Sequence, residues 1–239
     1  MIFGAILAGG VGSRMNISDM PKQFLDLGEK PIIVHTLEKF KLCSRLDHIY
    51  LGVHPDWLTH TNDLIEKYLG KAAAENVHVV AGGTDRNSTI FNIISDIEKN
   101  FGESEDNIII THDSVRPFVT QRMIEENIDA AIKYGAVDTV TSAIDTIVES
   151  DDGEFIKGIP NRQKMYQGQT PQSFKISVLK KLYSELTDDE KAILTDACKI
   201  CIVKGYPVYM VEGEISNIKI TTVSDYKIAQ AMVGGIKID

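Results

Sequence analysis

The chain has 239 residues, 43% of them hydrophobic, and a formal net charge of −9. A chain of that length can bury a sizeable core in one or two domains. The acidic balance argues against nucleic acid or an anionic membrane as partner, although an anionic small substrate can still meet a local basic pocket.

The opening stretch "MIFGAILAGG" is apolar but too short to span a bilayer. It has neither the positive n-region nor the small-residue cleavage site of a signal peptide. It reads as a buried strand, and the expectation is a cytoplasmic protein. "PIIVHTLEKFKLC" places apolar residues at helical spacing, and "HIYLGVH" is a second strand. "TNDLIEKYLG" predicts an amphipathic helix ending at Gly70. "VHVVAGG" is a strand running into glycines, with the helix "NSTIFNIISDIEKN" behind it. "NIIITHDS" is a strand, and "TQRMIEENIDAAIKYG" a helix closed by Gly135.

That rhythm implies an α/β fold: a Rossmann-like three-layer sandwich with a mostly parallel sheet. Ligands in such sheets bind beyond the carboxyl ends of the strands. The polar clusters at Ala8–Gly10, Ala81–Arg86 and Thr111–Pro117 are therefore expected on one rim.

Between about 140 and 172 the rhythm breaks. Two strand-like stretches flank the turn "DDG", which predicts a projecting β-arm. "ISVLKKLYSEL" and "DDEKAILTDACK" read as helices, and "YPVYMVEG" and "NIKIT" as strands. "TVSDYKIAQAMV" closes as a helix capped by Ser224 or Thr222. Residues 1–239 read as one domain with an arm. Cys43, Cys198 and Cys201 suggest no disulfide framework. "CKIC" lies in a strand-like apolar stretch with no second pair to complete a metal set, so its cysteines read as buried thiols. The six histidines form no metal pattern.

The loop "LAGGVGSRM" fails two familiar patterns. Gly10 and Gly12 begin a dinucleotide fingerprint, but Met15 stands where its third glycine belongs, and the G-K-S/T of a P-loop is absent. Glycines still let backbone N–H groups approach phosphates, with Arg14 and then Lys22 of "PKQF" as fixed cations.

These motifs, followed in order by "GGTDRNST", "HDSVRPF", "IPNRQKMYQGQTPQSF" and "NIKIT", resemble the sugar and polyol phosphate nucleotidyltransferases, and within them the cytidylyltransferases. The resemblance covers nearly the whole chain. Two branches are close, one acting on 2-C-methyl-D-erythritol 4-phosphate in isoprenoid synthesis. The other acts on ribitol 5-phosphate and makes CDP-ribitol for wall teichoic acid. "HDSVRPF", "YQGQTPQ", "VHPDW" and "LTDACKI" are more similar to the ribitol branch. The erythritol branch more often shows "HDAARP" and an acidic residue where Ser216 stands here.

The resemblance implies attack of a substrate phosphate on the α-phosphorus of CTP. Arg14, Lys22 and Lys219 would be the catalytic cations. Leu7, Ala8, Gly9, Gly10, Gly82, Gly83, Arg86, Thr89 and Ser114 would surround the nucleotide. Asp113, at a strand end, would hold Mg²⁺, with Arg116 supporting it or pairing with it. Thr146, Arg162 and Thr170 would bind the polyol phosphate, and Asp196 is a weaker candidate near the polyol. The arm implies a homodimer in which it reaches the partner's site. Two other classes compete. A nucleotide-binding regulator would lack the cations or the carboxylate, and an NAD-dependent dehydrogenase would need the missing third glycine.

Overall fold

The computed structural model describes residues 1–10 and 20–234, Ala73 by its backbone alone. Arg14 lies outside the described residues. The strands are β1 (Ile2–Ala8), β2 (Asp26–Leu27), β3 (Lys30–Pro31), β4 (His48–Val53), β5 (Val77–Ala81), β6 (Ile108–Asp113), β7 (Ala136–Ser142), β8 (Tyr166–Lys175) and β9 (Tyr209–Glu212). The helices are α1 (Ile32–Lys41), α2 (Leu58–Ala73), α3 (Arg86–Phe101), α4 (Gln121–Tyr134), α5 (Ile176–Ser184), α6 (Asp188–Ala192), α7 (Ala197–Val203) and α8 (Val223–Gly234).

Seven strands form one sheet in the order β5-β4-β1-β6-β8-β7-β9, while β2 and β3 pair apart from it. β8 runs antiparallel to both β6 and β7; the other pairings in this sheet are parallel. The central strands are buried on both faces, so their side chains alternate between two cores. Ile6, Ile108 and Ile110 face α1, α2 and α4 with Leu37 and Ile128. Phe3, Ala5 and Ile109 face α3, α5 and α7 with Ile93, Phe174 and Leu179. The result is a three-layer, Rossmann-like α/β sandwich. A third cluster of Leu27, Ile32, Val115, Ile220 and Ala229 packs α8 beside β2 and β3.

Helix ends follow the local chemistry. Thr120 caps α4 by accepting from Met123 N, and Gly135 ends it at φ 83°, a left-handed conformation that glycine adopts without cost. Thr222 accepts from Asp225 N at 3.2 Å at the start of α8. The residue Gly70 breaks the helical geometry of α2, but one more turn follows it.

Three expectations are corrected. "CKIC" is helical, on α7. Asp196 accepts from Lys199 N at 2.9 Å, capping that helix and dividing it from α6. The i,i+3 spacing then sends Cys198 and Cys201 to the same core face. "NIKIT" joins no sheet; its backbone instead bonds to the loop after β6, with Ile220 N donating to Val115 O at 3.0 Å. The arm is not a regular hairpin. β7 and β8 belong to the central sheet, and beyond them one bridge, Glu149 to Gly158, ties the described arm. Its turn is held by the Asp152 carboxylate, which accepts from the N–H groups of Glu154 and Phe155.

Candidate active site

A cleft of about 410 Å³ opens at the carboxyl ends of β1 and β6. The three polar clusters meet there. Leu7, Ala8, Gly9 and Gly10 come from the end of β1, and Gly83, Thr84, Asp85, Arg86 and Thr89 from the loop after β5 and the start of α3. Asp113, Ser114 and Val115 come from the end of β6, and Lys22, Gln23 and Lys219 complete the lining. Backbone bonds hold the rim together: Ser114 N donates to Leu7 O at 3.1 Å and Gly82 N to Val53 O at 2.6 Å.

The two glycine loops are in close contact. A Cβ on Gly82 would lie 3.5 Å from the Cα of Gly9 and 3.1 Å from Thr89 Oγ1. The Thr89 hydroxyl is buried and spent on the second loop. It accepts from Gly83 N at 3.0 Å and donates to Asp85 O at 2.8 Å. Asp85 in turn caps α3 in a reciprocal box with Ser88. This sets the position of Arg86 in the first helical turn.

Asp113 is the electrostatic centre. Arg86 Nε lies 3.6 Å from Oδ1, while Lys219 Nζ and Arg116 Nε lie 3.0 and 3.4 Å from Oδ2. Burial by itself would raise this carboxyl's pKa. The charges of Arg86, Lys219 and Arg116 outweigh burial and hold it well below the usual carboxylate range. Arg116 is fixed by donating from Nη1 to Asn217 O at 2.7 Å. Asn217 Nδ2 bonds Thr170 O at 2.9 Å, just before the cis Thr170–Pro171 bond. Lys219 is therefore delivered by a segment stitched to the β6 loop, not by a strand.

Behind Asp113 runs a buried relay. His112 Nε2 meets Arg116 O at 3.0 Å, which makes it the protonated nitrogen, so Nδ1 accepts from the Thr170 hydroxyl at 2.9 Å. Thr170 Oγ1 accepts in turn from Asp113 N at 3.2 Å. Burial lowers the His112 pKa to about 4, consistent with a neutral ring.

The model of the family described as IspD, 2-C-methyl-D-erythritol 4-phosphate cytidylyltransferase, matches residues 2–235. The chain belongs to the IspD family. It is 30% identical to a solved 4-diphosphocytidyl-2C-methyl-D-erythritol synthase from Anaerococcus prevotii. The match covers 98% of this chain and 96% of that one, with a TM-score of 0.79. IspD of Francisella tularensis is 26% identical over 95% and 97% of the two chains, with a TM-score of 0.76. The cytidylyltransferase of Thermus thermophilus, at 22% identity over 98% and 100% of the two chains and a TM-score of 0.73, matches in fold.

This IspD-family cytidylyltransferase brings most of its sequence-read residues together. Leu7 to Gly10, Lys22, Gly83, Arg86, Thr89, Asp113, Ser114 and Lys219 line the cleft, with Gly82 packed just beneath. Thr146 and Arg162 are exposed on the arm and do not line it; Arg162 Nη1 donates to Ile144 O at 2.8 Å. Thr170 is buried in the relay beneath Asp113. Thr84, Asp85 and Val115 fall inside the clusters expected on the rim but carry no individual role in the sequence; Gln23, inside "PKQF", is the lining residue that the sequence does not single out. No group of three His, Cys, Asp or Glu side chains that could hold a metal ion is found among the described residues. Of the two acids lining the cleft among the described residues, Asp85 is committed to capping α3, so Asp113 is the carboxylate that would fit Mg²⁺, an ion that takes one or two carboxylates with phosphate oxygens and water. The three cysteines are buried free thiols, and burial pushes the Cys201 thiol up to about 12.

One acid beside the site carries a pH signature. Burial raises the Asp138 pKa to about 6, helped by the nearby Asp196 charge and opposed by the bond from Gln172 Nε2 at 3.0 Å. The folded state therefore holds this proton more tightly than an ordinary carboxylate does. The stability it contributes is complete below the ordinary carboxylate pKa of about 3.9 and is lost as pH rises through about 6. Asp138→Asn removes the charge and keeps an acceptor for Gln172. The variant is expected to melt a few degrees higher than the parent at pH 7.5 and level with it near pH 4. The same difference at both pH values would refute this.

Proposed function

We propose that this chain transfers CMP from CTP to a small phosphorylated polyol, releasing pyrophosphate. The observation that carries the proposal is the meeting of two glycine loops, Lys22, Arg86 and Lys219 around Asp113 in one cleft. An oxygen of the acceptor phosphate forms a bond to the α-phosphorus as the bond to pyrophosphate breaks. The nucleophile is already an anion, so the protein's task is to hold two repelling anions in line and neutralise developing charge.

In this reading Lys22, with Arg14, grips the triphosphate, and the first glycine loop brings backbone N–H groups to the nucleotide; the second loop, whose Gly82 and Gly83 N–H groups are spent on Val53 O and Thr89 Oγ1, offers the nucleotide its backbone carbonyls. Arg86 has two buried Nη groups with no protein acceptor among the described residues, donors left for anionic oxygens. Lys219 stands at the reaction centre. Mg²⁺, when bound, would be held by Asp113 and the phosphates and would supply further charge neutralisation. Thr146 and Arg162 would reach acceptor phosphate across a dimer. The arm and its base expose Ile144, Val148, Phe155, Ile156 and Ile159, an apolar surface suited to a second copy. Light scattering at micromolar concentration is expected to give a dimer mass; a monomer would remove this role for the arm.

Two acceptors have support. The family description and the solved relatives favour 2-C-methyl-D-erythritol 4-phosphate. The chain's own "HDSVRPF" and its Ser216 favour ribitol 5-phosphate and a place in teichoic acid synthesis. Pyrophosphate release from CTP and Mg²⁺ with each acceptor in parallel decides between them. Release with only one identifies the acceptor, and release with neither overturns the proposal.

A further inference from the structure

We propose that Gln23 is a positioning residue for the triphosphate, a buried side chain that ties the glycine loop to the Lys22 turn. The proposal rests on the cytidylyltransferase reading above. Gln23 is only 2% exposed. Its carboxamide Nε2 donates to Ala8 O at 2.8 Å and to Gly10 O at 3.1 Å, so both N–H groups are committed to the loop. Those two carbonyls bracket Gly9, and Ala8, Gly9 and Gly10 all line the cleft.

Gly9 and Gly10 have no side chains to anchor them, and glycine leaves the backbone its widest conformational choice. With the Ala8 carbonyl bound to Gln23, the peptide plane that carries the Gly9 N–H is held in advance, and the Gly10 carbonyl is held beside it. Preorganised donors of this kind bind an anion without an ordering cost at the moment of binding.

The other end of Gln23 is equally fixed. Its backbone lies in the short helical turn Lys22–Phe24, closed by Phe24 N to Pro21 O at 2.9 Å and Leu25 N to Lys22 O at 3.1 Å. Phe24 is buried and stacks on Trp57 with ring centroids 4.9 Å apart. Lys22, the adjoining residue, lines the same cleft. One carboxamide therefore sets the spacing between backbone donors and a cation that a triphosphate would bridge. Thr89 pins the second glycine loop in another way, accepting from Gly83 N and donating to Asp85 O.

The test compares the full-length protein with Gln23→Met, which keeps volume and removes both donors. Binding of CTP is measured by calorimetry without acceptor, and steady-state kinetics are run with CTP and the polyol phosphate that the wild type accepts. Loss of two buried hydrogen bonds is expected to raise the KM and Kd for CTP about tenfold or more, leaving the KM for the polyol phosphate unchanged. An unchanged affinity for CTP, or an equal rise in both KM values, would overturn the proposal, because a merely structural role would not single out one substrate. Should Gln23→Met not fold, Gln23→Asn shortens the reach with less disturbance and is held to the same outcome. A wild type that binds CTP but turns over neither acceptor overturns the functional reading, while the calorimetric comparison still decides for or against Gln23.

Discussion

Replacing Asp113 with asparagine is expected to lower both turnover and stability. The carboxylate is the shared counter-ion of Arg86, Arg116 and Lys219, two of them within 3.4 Å. Without it, three cations face each other across a largely buried site. Removing one partner from a buried ion network costs about 3–5 kcal/mol, because the remaining charges lose compensation that water cannot replace. The low pKa gives the sign. The folded state favours the charged form, so this stability is present above the ordinary carboxylate pKa and is lost as pH falls. Denaturant titration at pH 7 is expected to show the full loss in Asp113→Asn, with a smaller difference in acid. On the proposed reading turnover is expected to fall at least about a hundredfold, since the carboxylate that would hold Mg²⁺ and the anchor of Lys219 are removed together. Wild-type stability at pH 7 would refute the counter-ion role.

Replacing Lys219 with methionine is expected to separate the two effects. Its side chain is 46% exposed, and its charge is one of three around Asp113. The ion pair is partly solvated, so its removal is expected to change stability by less than about 1 kcal/mol. Catalysis is a different matter. On the proposed reading Lys219 stands beside the α-phosphorus, where a cation acts on charge that grows only in the transition state, and loss of such a group costs about 10²–10³ in turnover. Single-turnover kinetics with saturating CTP are expected to show that fall in Lys219→Met, beside a nearly unchanged melting curve. Full activity would place Lys219 outside the reaction centre and leave its bond to Asp113 as its whole role.

The contrast between these two variants follows from placement, and placement was legible in the sequence only in part. Strand ends carrying "AGG", "GGTDR" and "THDS" could be assigned to one rim, because a parallel sheet sends all such ends the same way. The partners of Asp113 could not all be seen. Arg116 is three residues away, but its guanidinium is fixed by Asn217 O, 101 residues along the chain. Gln23 reads as an ordinary polar residue until folding places its amide under two carbonyls. Thr170 reads as exposed to substrate, yet its hydroxyl both donates and accepts within the protein.

The sequence by itself determined the alternation of strand and helix, the glycine turns, a cap for the last helix at Ser224 or Thr222 and the ordered motifs that mark the family. These are local: a hydrophobic period, a left-handed glycine or a capping hydroxyl acts within a few residues. Tertiary structure decided the rest. "CKIC" became helical because Asp196 caps it and both thiols then face one core; a short apolar run has no period of its own to choose between helix and strand. "NIKIT" became a strap because Val115, not a neighbouring strand, accepts its backbone hydrogen bond. The charge balance at Asp113 exists only once segments around positions 86, 116 and 219 are brought within 4 Å of it. Electrostatics depends on distance in space, and the order of residues along the chain sets that distance only after the core has formed.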